Sequence, residues 1–197
     1  MGMAAPSKVW TRDEVLALQD AAPSGVRYEL IDGELLVSPS PNHPHQACVT
    51  TLLVLLYDYC KRHRIGQALM SPADLSLEEE SIVQPDIFVV PWRTPVAKQG
   101  WQHVRSLLLA VEVLSPSTAR GDRMVKRRFF QRNGVPEYWI VDHDARAVER
   151  WRPDDARPEI LDETLVWHPV STIKPLTIDL RELFAEALDD LDHGDED

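Results

Sequence analysis

The chain has 197 residues, 44% of them hydrophobic and 27% charged, and 21 basic against 32 acidic side chains give it a net charge of −11. That length suits one domain with a real hydrophobic core plus tails. The charge counts against broad nucleic-acid binding, and no apolar run approaches the roughly 20 residues of a membrane helix.

The first ten residues read as a tail, and "MGMAAPSKVWTRDE" has no apolar signal-peptide region. Thr11 to Glu14, "TRDE", is a capping-box pattern that predicts a short helix to about Gln19. In "RYELIDGELLVSP" two short strands flank Asp32-Gly33, a hairpin-turn dipeptide. After the proline-rich "SPSPNHPH", "QACVTTLLVLLYDYCKRH" predicts a helix apolar on most faces. Its basic end suits a helix C-terminus. Cys48 and Cys60 lie 12 positions apart in it, about 18 Å along the axis, too far to bridge. Two cysteines alone make no zinc site, so the chain is expected in a reducing compartment, the cytoplasm.

Strand-like pieces follow around Gln67 to Met70, around Asp74 to Leu77 and over Ile82 to Val90, with "EEES" as a turn between the last two. "PWRTPVAKQGWQH" reads as a loop, and Leu107 to Leu114 as a continuous apolar strand. "SPSTARGD" leads into a helix from about Arg120 to Arg132, stopped by Gly134 and Pro136. "EYWIVD" is another strand, while "AVERW" and "TLVWHP" alternate as edge or hairpin strands. "DLRE", from Asp179 to Glu182, opens a last helix that frays into "DDLDHGDED", a tail of six acids expected to be disordered. The result is a single α/β or α+β domain over residues 11–188, between two tails.

Two acids interrupt apolar strands: Asp86 in "SIVQPDIFVVPW" and Glu112 in "LLLAVEVLSP". If those strands pair, at about 4.8 Å separation, the carboxylates can converge. Two ionised carboxylates that close repel unless a cation lies between them. Hard oxygens suit Mg²⁺ or Mn²⁺, which polarises a phosphate oxygen and lowers the pKa of a bound water. The carbonyl of Val113 could join as a ligand. Lys126, on the following helix, could orient the water or neutralise charge, and Asp122 at i−4 could steer it. Six basic residues between Ala119 and Arg132, against one acid, suit phosphates at the mouth of the site. Arg120, Arg123 and Arg127 are the candidate contacts.

Plainer readings compete with these. Asp86 after Pro85 could be a turn residue, and Glu112 could pair with Arg123. Asp122 and Lys126 could form a surface pair. His43 and His45 flank Pro44 without a zinc pattern and read better as a capping loop. Trp92 and Trp101 read as packing first and substrate contacts second. "SPST" lacks the glycines of a nucleophile elbow.

"QPDIFVV", "LAVEVLSPST" and "GDRMVKRRFFQRNGVPEYWIVD" resemble the PD-(D/E)XK nuclease superfamily, and within it a bacterial restriction-endonuclease family of Uma type. "RYELIDGELLVSPSPNHPHQ" and "LTIDLRELF" resemble that family too, so the likeness runs roughly from Thr11 to Ala185. The resemblance implies a restriction-endonuclease-like core, a mixed β-sheet flanked by helices with an N-terminal hairpin. It implies metal binding by Asp86 and Glu112, and metal-dependent hydrolysis of DNA phosphodiesters. The superfamily pattern has a lysine two residues after the second acid, where this chain has Leu114; members of the narrower family resemble a case in which that lysine has moved to the helix, and Lys126 fits. A further acid from the amino-terminal region often joins such sites. Glu29 and Glu34 are both available, and the reading leans to Glu34. Many nucleases of this class act as homodimers, for which the apolar strands near the carboxyl end could supply an interface. The alternatives are a catalytically inactive nuclease fold serving as a binding module, favoured by Leu114 and the acidic charge, and a hydrolase of other phosphate esters.

Overall fold

The structure is a computed structural model that describes residues 8–22, 25–92, 94 and 100–188. The acidic tail after residue 188 and most of the N-terminal tail lie outside the described residues.

Helix α1 (Arg12–Ala21) begins as its capping box requires, with Thr11 accepting from the Glu14 N–H and Glu14 accepting from the Thr11 N–H. Strands β1 (Arg27–Ile31) and β2 (Glu34–Ser38) form an antiparallel hairpin. Asp32 and Gly33 turn it with φ of 53° and 75°, the pair of positive values that matches strand twist in a two-residue turn. Helix α2 (His43–His63) starts three residues earlier than the sequence suggests. Asn42 caps it and Pro44 sits in its first turn, where a missing N–H costs nothing. His43 and His45 are therefore helical, not loop residues.

A mixed sheet of six strands follows, in the order β3 (Gly66–Met70), β4 (Ile87–Pro91), β5 (Leu109–Val113), β6 (Tyr138–Asp142), β7 (Ala147–Trp151) and β8 (Glu159–Leu161). Only β5 and β6 pair in parallel, and a parallel pair needs a crossover. That crossover is α3, wound as a π-helix over Gly121–Lys126 and as an α-helix over Arg127–Arg132. The expected strand over Ile82 to Val90 is shorter. Ile82 and Val83 make single bridges to Leu30 and Leu75, and the ladder starts only at Ile87, because Pro85 has no N–H to donate. The piece around Asp74 to Leu77 reduces to that one bridge at Leu75. Strands β9 (Thr164–Trp167) and β10 (Leu176–Asp179) form a second hairpin, and β10 runs into α4 (Leu180–Leu188). Asp179 Oδ1 accepts from the N–H groups of Arg181 and Glu182, where the sequence had the helix open.

The sheet is covered on both faces. Ile87, Val89, Val111, Val113 and Trp139 point to one side, where Leu52 and Leu56 of α2 and Leu183 and Phe184 of α4 pack on them. Phe88, Val90, Ala110 and Ile140 point to the other, against Phe129 and Phe130 of α3 and Ile31 of the first hairpin. Among the described residues no helix is long and apolar enough to cross a membrane.

Candidate active site

The register of β4 on β5 places the two acids. Ile87 opposes Val111 and Phe88 opposes Ala110, so one step further sets Asp86 opposite Glu112. Directly opposed residues share a face with Cβ atoms about 4.5–5.5 Å apart. That face is the one α3 covers, and the two acids are only 5% and 2% exposed.

Each carboxylate has its own partners. Asp86 accepts from the Arg27 Nη1 at 2.7 Å and from the Val113 N–H at 2.9 Å, and its Oδ2 lies 3.1 Å from His45 Nε2. Burial works against its charge, but the His45 hydrogen bond and the field of Arg27 outweigh that and hold the carboxyl below the usual carboxylate range. Glu112 Oε1 lies 2.9 Å from Lys126 Nζ. Here burial wins over the lysine and, with the nearby acids, pushes the carboxyl well above its ordinary value. Asp122 is raised for the same reason, burial first.

Lys126 is itself buried and gathers acids from three elements: Glu29 of β1 at 2.7 Å, Glu112 of β5 at 2.9 Å and Asp122 of α3 at 3.3 Å. Burial opposes the ammonium, yet these three charges raise its pKa well above 10.5. Glu29 Oε1 also accepts the Gln84 N–H at 2.7 Å, which ties the hairpin to the residue before Pro85. The atoms that face the ammonium are Glu29 Oε2, Glu112 Oε1 and Asp122 Oδ1. The partner of Glu112 is Lys126; Arg123 is elsewhere.

Several predicted positions differ. Glu34 is exposed, and Glu29 is the amino-terminal acid that packs on Lys126. Both acids lie on the same face of the hairpin, since Glu34 opposes Ile31 and Ile31 is two residues from Glu29. Position along the hairpin separates them, with Glu29 in the middle of β1 over Lys126 and Glu34 at the turn end, on the rim of the groove. Arg123 is committed to Asp142 at 3.1 Å and Glu149 at 2.6 Å, and Arg127 lies over the Trp151 ring at 4.6 Å and bonds Gln131. Both are engaged with the protein's own side chains. Arg120 is exposed, as is Arg128, which sequence reasoning passed over. Trp92 is at the far end of β4 from Asp86, and Trp101 packs edge-on against Phe88. Arg27 and His45 were missed as site residues. Their contacts cross 59 and 41 residues of sequence, and the one available signal was a histidine three residues after an Asn able to cap the helix.

Two openings reach the cluster. A groove of about 450 Å³ between β2 and α3 is lined by Asp122, Lys126, Arg120 and Arg128. A cavity of about 180 Å³ is lined by Asp86, Arg27, His45 and Met70. Among the described residues no three His, Cys, Asp or Glu side chains are grouped to hold a metal by themselves. The donor set does fit Mg²⁺, which is commonly bound by one or two carboxylates and keeps several waters. Asp86 and Glu112 supply the carboxylates. In an extended strand the N–H and C=O of one residue leave by the same edge, so the Val113 carbonyl faces the edge where its N–H meets Asp86. Four buried acids stand against two cations, Lys126 and Arg27, and a hard cation would favour the ionised form of Glu112 and Asp122, which burial disfavours.

A family model, Uma2, described as "Putative restriction endonuclease", matches residues 12–181. The chain belongs to the Uma2 family. A crystal structure described as a putative nuclease belonging to DUF820 from Anabaena variabilis ATCC 29413 superposes with a TM-score of 0.70 at 23% identity, over 90% of this chain and 99% of that one. That likeness gives this Uma2 chain a nuclease-like fold. No curated protein matches it significantly.

Proposed function

We propose that this Uma2 chain is a metal-dependent endonuclease that hydrolyses DNA phosphodiester bonds. The observation that carries the reading is the pair Asp86 and Glu112, opposed across β4 and β5, with a buried lysine 2.9 Å from the second. Asp86, Glu112 and the Val113 carbonyl would hold Mg²⁺ or Mn²⁺. When bound, that ion supplies a Lewis acid for the phosphate and a water of lowered pKa. Lys126 stands beside Glu112, where an ammonium can orient the attacking water and neutralise developing charge. Glu29 and Asp122 hold that ammonium charged and in place. Arg120 and Arg128, exposed along the groove, suit flanking phosphates. Cutting both strands of a duplex calls for two such sites, hence a homodimer. Buried free thiols at Cys48 and Cys60 suit the reducing cytoplasm.

Nicking of supercoiled plasmid with Mn²⁺ tests this. Wild type should nick, while Glu112→Ala and Glu112→Gln should lose about a hundredfold or more. Glu29 and Asp122 remain to hold Lys126, so both variants should fold. Wild type that neither nicks nor takes up Mn²⁺ ends the nuclease reading. One observation favours a second reading, a non-catalytic binding module: Glu29, Asp86, Glu112 and Lys126 are all 5% exposed or less. DNA binding without nicking in any divalent metal would select it.

A further inference from the structure

We propose that Arg27 is a phosphate-binding residue of the site, held on Asp86 until a divalent cation takes its place there. The inference rests on the endonuclease reading and extends it to a residue outside the acid and lysine pattern.

The two cations of the cluster are placed differently. Lys126 is enclosed by three acids, and its side chain is 3% exposed. Arg27 is more open, with a side chain 16% exposed against 5% for Asp86. It lines three cavities: the one beside Asp86 and His45, one under Ser115 and Ser117, and the large one beside Asp74 and Trp101. Space to move and a route to solvent therefore belong to Arg27.

Its present bonding is incomplete. Nη1 donates to Asp86 Oδ1 at 2.7 Å and to the Gln84 carbonyl at 3.3 Å, while Nε is buried with no partner among the described residues. A guanidinium offers five donors in a fork that matches a phosphate two at a time. Among the described residues the only acid it bonds is Asp86, the one a metal would need. A divalent cation brings twice the charge of the guanidinium to the same carboxylate, Asp86, and so competes with Arg27 for that position. The released guanidinium then stands within a side chain's length of Asp86, facing the cavities by which a phosphate would arrive.

The test compares wild type, Arg27→Gln and Arg27→Lys as full chains. Mn²⁺ affinity is measured by calorimetry without DNA, and binding of a short duplex by fluorescence anisotropy in Ca²⁺. Arg27→Gln should bind Mn²⁺ about tenfold more tightly, because its competitor is gone, and the duplex about tenfold more weakly, because a close charge partner is lost. Arg27→Lys should fall between on both, since it keeps the charge without the fork. A merely structural role would weaken both together. Unchanged or weaker Mn²⁺ binding by Arg27→Gln overturns the exchange, and unchanged duplex binding overturns the phosphate role. If wild type nicks plasmid and Glu112→Ala does not, those results sink this inference alone. If no variant takes Mn²⁺, the inference falls with the nuclease reading.

Discussion

A lysine ammonium with three carboxylates within 3.3 Å is the most demanding group in the molecule. Breaking a buried ion pair by removing one partner costs about 3–5 kcal/mol, because the other charge stays buried. Lys126→Met should lower the free energy of unfolding in urea by about that amount, with Mg²⁺ recovering part of it. It should also abolish nicking; full activity in this variant would remove Lys126 from the chemistry and leave Asp86 and Glu112 untouched. Asp86, Glu112, Lys126 and Asp122 could be read from the sequence because a charge inside an apolar strand or beside a buried helix face is conspicuous on one dimension. Arg27 and His45 could not, since each is ordinary locally and acquires its role only by meeting Asp86. The choice between Glu29 and Glu34 turned on depth, because the two share one face of the hairpin and only Glu29 lies far enough from the turn to reach Lys126.

Among the elements, the first turn of α2 ties local chemistry to the site. Asn42 Oδ1 accepts the His45 N–H at 3.1 Å, and the same His45 reaches Asp86 with its ring. Asn42→Ala should cost about 1 kcal/mol in thermal or urea unfolding, the usual value of a lost cap. His45→Ala should release Asp86 toward the ordinary carboxylate range, visible in the carboxyl carbon shift of Asp86 during NMR titration. The elements that sequence foretold best were those with strong punctuation: the capping box of α1, the Asp-Gly hairpin, the central strand β5. It missed β8 and β10, three and four residues long, because strands that short carry too little alternation to stand out. It overextended β4 because apolar residues run on either side of Pro85 without marking where the ladder ends.

For the whole molecule, buried acids make stability depend on pH and metal together. Glu112 and Asp122 are raised from 4.5 and 3.8. Above those ordinary values the folded chain holds protons that the unfolded chain releases, so these two groups cost stability as pH rises toward their folded values. Asp86 has the opposite sign. Its contribution is present above 3.8 and lost as pH falls through its lower folded value. The metal-free protein should therefore be less stable at about pH 8 than at about pH 5, and Mn²⁺ should raise the melting temperature more at the higher value. Equal metal effects at both would argue that the acids do not share the ion. At this scale the roof over the cluster also matters. Arg132 grips Asp32 at the hairpin turn with two bonds, of 2.6 and 2.8 Å, and holds Glu78 as well, and the Leu30–Ile82 bridge pins the strand just before that turn. Towards the Arg27 end the ties are Asp86 and Gln84, inside the site, and Gln19 of α1, which donates to the Tyr28 carbonyl at 3.1 Å. The hairpin is therefore fastened along its length, and a change at Asp86 would loosen only the one tie that runs through the site.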